Sequence, residues 1–181
     1  MQRMKKNLGF SLIELMVGIA VLGIVAVLAM PTFAAWIQNS KTRTVAESLQ
    51  NGIRAAQAEA VSTGRQVVFF VTDVQPSLGA AATLVGTNWG IRSVTIGDPN
   101  TPERYIQGAV LAGQGGAVVV TTSSAEIRFN SIGRLTNSPS RVIYNVTNAK
   151  GSRRLDVIVS SAGSVRMCDP DKSIATAADG C

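Results

Sequence analysis

The 181-residue sequence contains no histidine and only two cysteines, and 5% of its residues are aromatic. The lack of histidine excludes Ser-His and Cys-His catalysis and every metal site that needs an imidazole. No Walker loop and no paired-cysteine metal motif is present. The glycine-rich stretch 113–116 has no P-loop lysine, so we predict a turn there. These absences indicate that the protein is not an enzyme and has no cofactor.

The positive charge of the chain is a weak indication of nucleic-acid binding. Its 17 Lys and Arg against 11 Asp and Glu give a net charge of +6. Residues 1–9 hold three of the cations and no acid, so the remaining 14 cations face 11 acids, a net charge of +3. Half of the excess therefore lies in the first nine residues.

An apolar run of membrane length follows these basic residues. From Phe10 to Ile37 the only formally charged residue is Glu14. At about 1.5 Å per residue, twenty-odd helical residues cross a hydrocarbon core of about 30 Å. The basic residues before the run predict that the N-terminus stays in the cytoplasm and the rest is exported. A carboxylate inside lipid is unfavourable by roughly 2.5–3.5 kcal/mol, which indicates a function for Glu14.

Two simple interpretations of this run are a secretory signal and a plain membrane anchor. Thr32-Phe33-Ala34 resembles a weak cleavage site, which would leave Ala35 as the mature N-terminus. An apolar signal region normally has about 7–15 residues, which is shorter than this run. A plain anchor gives no reason for Glu14.

The hexapeptide Gly9-Phe10-Ser11-Leu12-Ile13-Glu14 resembles the type IV prepilin signature of type IV pilins and type II secretion pseudopilins. The short basic leader and Pro31 also match. The resemblance implies that a prepilin peptidase removes residues 1–9 by cleaving after Gly9, and that Phe10 is then N-methylated. It also implies that Glu14 pairs with the Phe10 amine, of a neighbouring subunit or its own, during assembly.

The same resemblance implies partners and a location. The partners are other pilin or pseudopilin subunits, the prepilin peptidase and an assembly platform in the inner membrane. The subunit would cross the bacterial inner membrane once, with its head in the periplasm, before it enters a pilus or pseudopilus filament.

The expected fold class is α+β and pilin-like, with one long N-terminal helix packed on an antiparallel β-rich head. We predict one helix over residues 11–63, with a membrane and assembly half at 10–37 and an amphipathic half at 38–63. Apolar residues at spacings of three and four define the packed face of the second half: Val45, Leu49, Ile53, Ala56 and Ala60. Pro31 either kinks the helix or ends the spanning segment; the pattern beyond it favours continuation.

The head at 64–181 has short β-branched runs separated by turn residues, which predict about seven strands. Loops are predicted at 73–88 and 97–105. The predicted strands are 66–72, 89–96, 117–122, 126–130, 141–146, 155–160 and 164–168.

Cys168 and Cys181 are an even pair near the C-terminus. In an exported domain such a pair predicts a disulfide, although two free thiols are the alternative. Closing a loop of this size stabilises the fold by about 3 kcal/mol in the chain-entropy model.

Residues 129–136 and 157–168 resemble a minor pilin group that includes pseudopilin H, FimU and FimT. This likeness implies a minor pilin or pseudopilin that enters or primes a filament.

The alternative function is DNA binding in natural transformation. FimT-like proteins bind DNA through a Gly-Arg-x-Arg motif, and the corresponding stretch here is Gly163-Ser164-Val165-Arg166, with serine in place of the first arginine. Arg153 and Arg154 are the candidates to compensate for that loss. Adjacent residues of a strand point to opposite faces, however, so these two are not expected to form one patch.

Overall fold

The computed structural model describes residues 10–94, 102–111, 117–137 and 141–181. Four predictions fall wholly or partly outside these residues: the leader 1–9 with its cleavage at Gly9, the end of the strand at 95–96, the loop at 97–101 and the turn at 113–116.

The predicted long helix is present as α1, Leu12–Thr63. Ser11 is its N-cap, and Gly64 ends it in the left-handed conformation with φ 67°. The helix continues through Pro31, so the interpretation of Pro31 as its end is wrong. Proline fixes a φ angle that suits a helix and removes one hydrogen bond, which the remaining turns of a 52-residue helix tolerate.

The head has nine strands within the described residues, where the sequence predicted about seven. Their bounds are β1 Gln66–Thr72, β2 Val85–Gly86, β3 Asn88–Val94, β4 Arg104–Val110, β5 Val118–Thr122, β6 Glu126–Phe129, β7 Val142–Asn148, β8 Leu155–Val159 and β9 Val165–Cys168. Each of the seven predicted strands is found, and its described ends lie within two residues of the prediction.

Strands β2 and β4 contradict the two predicted loops. The loop prediction 73–88 is wrong at β2 and at Asn88, where β3 begins, and the loop prediction 97–105 is wrong at Arg104 and Tyr105. Strand β4 contains Gln107 and Gly108 and is largely exposed at the edge of its sheet, so it lacks the apolar pattern of a core strand. Its pairing with β3 also shifts register between Ile91 and Arg92.

The strands form two sheets, ordered β4-β3-β1-β6 and β2-β5-β7-β8-β9, in which every neighbouring pair is antiparallel. Both sheets pack on the C-terminal half of α1. The predicted helix face is confirmed, because its five residues are at most 2% exposed: Val45, Leu49, Ile53, Ala56 and Ala60. Burial of this face against residues such as Phe69 and Tyr144 fixes the head on the helix.

A glycine on the helix lets one sheet approach closely. The Trp89 ring lies over Gly52, where a Cβ atom would come within 2.8 Å of it. The Trp89 Nε1 donates a hydrogen bond of 3.1 Å to the Ser48 hydroxyl, and the ring stacks on Phe69 at 5.5 Å between centroids. These contacts tie β3 to the middle of the amphipathic half.

Candidate functional site

The two halves of α1 have opposite surroundings. The large apolar side chains of the N-terminal half, from Leu12 to Trp36, are 54–77% exposed. This half is apolar and long enough to cross a membrane, and none of its most apolar stretch is buried within the protein. An apolar surface of this size is unstable in water and requires lipid or other helices around it. It is therefore the first candidate site.

Glu14 has a local partner at the start of this exposed half. Its backbone N–H donates a 3.2 Å hydrogen bond to the Ser11 hydroxyl, and the Ser11 N–H donates a 3.4 Å bond to Glu14 Oε2. The two bonds form a capping box. Glu14 therefore caps the start of the helix, a role that it could also have in a plain membrane anchor. The Ser-x-x-Glu spacing at 11–14 was the sequence signal for it.

The hydrogen bonds between α1 and the head begin at Gln38 and Asn39 in the described residues. Asn148 Nδ2 donates to the Gln38 carbonyl at 3.1 Å. Asn39 Oδ1 accepts from the backbone N–H groups of Ser152 and Arg153 at 3.2 and 3.1 Å. These bonds fix the turn between β7 and β8 next to the C-terminal end of the exposed apolar half.

The second candidate site is the C-terminal loop closed by the Cys168–Cys181 disulfide. The predicted disulfide is formed, and the alternative of two free thiols is wrong. The loop is ordered by its own backbone, since Asp169 N–H donates to the Asp179 carbonyl at 2.7 Å. Cys181 N–H also donates to the Lys172 carbonyl at 3.0 Å.

All three arginines proposed for DNA contact this loop. Arg153 lies 3.7 Å from Asp169 and 3.5 Å from Asp179, measured between guanidinium nitrogen and carboxylate oxygen. Arg154 pairs with Asp171 at 2.6 Å. Arg166 Nη2 donates to the Cys181 carbonyl at 3.4 Å.

The strand alternation used to separate Arg153 and Arg154 does not hold. They precede β8 rather than lie within it, so strand alternation does not apply, and both side chains reach the same loop. These pairs join residues far apart in the sequence, and no local pattern marked them.

The three acids of the loop are paired with Lys172 inside it and with Arg153 and Arg154 outside it. Lys172 lies 2.6 Å from Asp179, and this hydrogen bond raises the pKa of Lys172 and lowers the pKa of Asp179. The hydrogen bond with Asp171 likewise raises the pKa of Arg154. Among the described residues, no group of three or more Cys, Asp or Glu is placed to hold a metal ion. The chemistry available here is ion pairing at the surface.

A long helix with a bare apolar half, packed through its other half on antiparallel sheets, is the fold of type IV pilins and pseudopilins. Two crystal structures of the minor pilin FimU from Pseudomonas aeruginosa share it, with TM-scores of 0.51 and 0.55 at 18% and 17% identity. They cover 72% and 76% of this chain and 94% and 95% of FimU. The minor pseudopilin EpsH of the Vibrio cholerae type 2 secretion system has a TM-score of 0.52 at 11% identity, over 73% of this chain and 99% of EpsH.

The chain belongs to the GspH family of type II transport proteins, whose profile matches residues 45–163. The profile of the prokaryotic N-terminal methylation motif matches residues 4–30. A fimbrial protein of Moraxella nonliquefaciens is 29% identical over 105 residues, which are 58% of this chain and 65% of the relative's length. The chain thus joins a GspH-family domain to an N-terminal methylation motif, and the pilin and pseudopilin families it resembles are structural and not enzymatic.

Proposed function

We propose that this subunit is cleaved after Gly9, N-methylated at Phe10 and held in the inner membrane by residues 10–37, with its head in the periplasm. From there it enters or primes a pilus-like filament. Its partners are the prepilin peptidase, the inner-membrane assembly platform and other pilin or pseudopilin subunits.

The observation that carries this proposal is the continuity of α1 across two environments. One rigid helix has a buried half, with Ile53 fully buried under the head, and a bare half whose apolar side chains are more than half exposed. Lipid can cover the bare half in the membrane, and the helices of other subunits can cover it in a filament. A Cβ atom added at Gly18 or Gly23 would meet nothing within 4 Å apart from its own turns of the helix, so this surface is free to receive a neighbouring helix.

Glu14 has two separable roles in this proposal. The capping role needs an acceptor at position 14 that reaches the Ser11 N–H, which glutamine also supplies. The assembly role needs a negative charge that pairs with the cationic amine of Phe10, because an unpaired charge in lipid is strongly unfavourable. We propose that the charge, and not the cap, is required for incorporation.

Three variants separate the two roles. Glu14→Gln keeps an acceptor for the Ser11 N–H without the charge, and Glu14→Ala removes both the acceptor and the charge. Ser11→Ala keeps the charge and that acceptor but removes the hydroxyl that accepts the Glu14 N–H. The fraction of subunit recovered in sheared filaments, relative to the membrane fraction, measures incorporation. Processing is scored separately from the mass of each mature chain.

We expect Glu14→Gln and Glu14→Ala to reduce incorporation alike, with Ser11→Ala close to wild type. Normal incorporation of Glu14→Gln, with a loss in Glu14→Ala, would mean that Glu14 acts as a cap. The charge-pairing proposal would then be wrong.

DNA binding stays a prediction that the contacts of the three arginines do not favour. Arg153 and Arg154 are paired with acids, which leaves less cationic charge for phosphate, while one nitrogen of Arg166 is used by a carbonyl group. A DNA titration of the full mature chain at two salt concentrations tests it. Salt-dependent binding at micromolar concentration that each Arg→Gln change weakens would support DNA binding, and absence of binding would remove it.

A further inference from the structure

We propose that the base of the head docks on anionic phospholipid headgroups while the subunit is still in the membrane. The head base is defined here as Lys41 together with the turn at residues 149–152. The proposal rests on the proposed function, in that residues 10–37 must span the bilayer, and it adds a lipid-binding surface to the head. The headgroups are those of the periplasmic leaflet, on the side of the membrane where the head lies.

The length of the bare helix places its aromatic end at a membrane surface. From Ser11 to Trp36 the helix is about 38 Å long at about 1.5 Å per residue. That length exceeds a hydrocarbon core of about 30 Å and is close to the roughly 40–45 Å of core plus headgroups. Phe33 and Trp36 are 62% and 65% exposed and stack at 5.9 Å between centroids. Exposed tryptophan at this position is typical of the lipid–water interface.

The head base lies immediately beyond that interface. Asn39 is three residues after Trp36, about 4.5 Å further along the helix axis. Its carboxamide oxygen accepts the Ser152 and Arg153 N–H groups, and Gly151 comes so close that a Cβ atom there would lie 3.1 Å from that oxygen. No linker separates the turn from the helix, so spanning brings the turn to headgroup depth.

The head base carries two lysines without an acidic partner in the described parts of the chain. Lys150 is exposed, and its N–H donates to Asn148 Oδ1 at 3.0 Å, which fixes the turn that presents it. Lys41 is half-buried two residues after Asn39. The nearby Arg153, by contrast, is paired with acids of the disulfide loop. Lys41 and Lys150 are therefore the charges available to lipid phosphates.

The energetic effect of two such charges is measurable. A lysine close to an anionic membrane surface contributes about 1 kcal/mol, which is about a fivefold change in the ratio of docked to undocked heads. Two lysines together change it by more than tenfold. Docking of this kind fixes the tilt of the subunit before assembly.

The test uses the full mature chain reconstituted in vesicles, with a fluorophore on Ala149→Cys beside Lys150. The native cysteines are disulfide-bonded, so the new thiol is the one that is labelled. Quenching by lipids with a nitroxide on the headgroup reports contact with the membrane surface. The matched label position is Ile132→Cys, which is 70% exposed. It lies beside Gly133, whose carbonyl accepts a hydrogen bond from the Gln57 side chain, and Gln57 is about 27 Å further along the helix axis than Asn39.

Docking predicts strong quenching at position 149 and little at 132 in vesicles containing phosphatidylglycerol. In Lys41→Gln/Lys150→Gln, quenching at 149 should fall to the level seen in neutral phosphatidylcholine vesicles. Arg65→Gln, which removes one charge at the far end of α1, should leave it unchanged. Equal quenching with and without the two lysines would overturn the proposal, and the head would then be held by another contact.

Insertion itself is measured in the same vesicles. Lipids brominated in their acyl chains should quench Trp36, whereas Trp89 is 6% exposed inside the head and serves as an unquenched background. Quenched Trp36 with an unquenched label at 149 overturns head docking alone. Unquenched Trp36 overturns both membrane insertion and the docking that depends on it.

Discussion

Removing the disulfide tests how the C-terminal loop is held. The variant Cys168→Ser/Cys181→Ser opens a ring whose ends are 13 residues apart. For a ring of this size the chain-entropy relation gives about 3 kcal/mol. The free energy of unfolding is therefore expected to fall by that amount. The backbone hydrogen bonds of Asp169 and the ion pairs of Arg153 remain available to the opened loop, so the loss should not exceed this value by much.

The assay is thermal unfolding of the full chain in detergent, followed by near-ultraviolet circular dichroism. For a chain of this length, each kcal/mol shifts Tm by roughly 2–4 °C, so we expect a decrease of about 6–12 °C. The matched control is Asp171→Asn, which keeps the ring closed and removes the exposed pair with Arg154. Exposed pairs contribute little to stability, so this variant should lose at most a few degrees.

The outcome that refutes this reasoning is a small loss in the double serine variant together with a large loss in Asp171→Asn. The ion pairs between the loop and the arginines would then hold the tail, and ring closure would contribute little.

Three further predictions concern packing and charge. Gly163 has φ 91°, and a Cβ atom added there would overlap the Gly133 carbonyl oxygen. Gly163→Ala should therefore lower the free energy of unfolding, measured by chemical denaturation, by about 1–3 kcal/mol or more, the energy of local backbone strain. Ile53→Ala, at a fully buried helix position, should cost about 2–5 kcal/mol in the same assay, and a loss under about 1 kcal/mol would contradict the packing of α1. Lys172 lowers the pKa of Asp179, so the pair stabilises the loop fully at pH values above the ordinary carboxyl pKa. This stabilisation is lost as the pH falls through the lowered pKa of Asp179. The protection factors of the loop amides, which compare measured exchange with the intrinsic rate at each pH, should therefore fall at acid pH in wild type but change little with pH in Asp179→Asn.

The regular elements were predictable where their apolar pattern is periodic. The face from Val45 to Ala60 repeats every three or four residues, and that repeat predicted both the helix and its buried side. Strand β4 was missed because it is an exposed edge strand, stabilised by hydrogen bonds to β3 rather than by burial of its own side chains. Strand β2 has only two residues, too few for a pattern.

The candidate site was predictable only in its local parts. The membrane-length run is visible in the sequence, and so is the Ser-x-x-Glu spacing of the capping box at 11–14. The pairing of Arg153 with Asp169 and Asp179 depends on the disulfide loop folding back beside β8, which no neighbouring residues encode. Charges that looked free in the sequence are therefore compensated in the fold.

The central claim is that this subunit is cleaved after Gly9 and keeps its apolar half-helix. Mass spectrometry of the mature chain isolated from membranes tests it most directly. We expect a chain that begins at Phe10 and carries one added methyl group on its N-terminal amine. A chain that begins at Ala35 would contradict the claim, because the surface proposed for membrane anchoring and assembly would then have been removed.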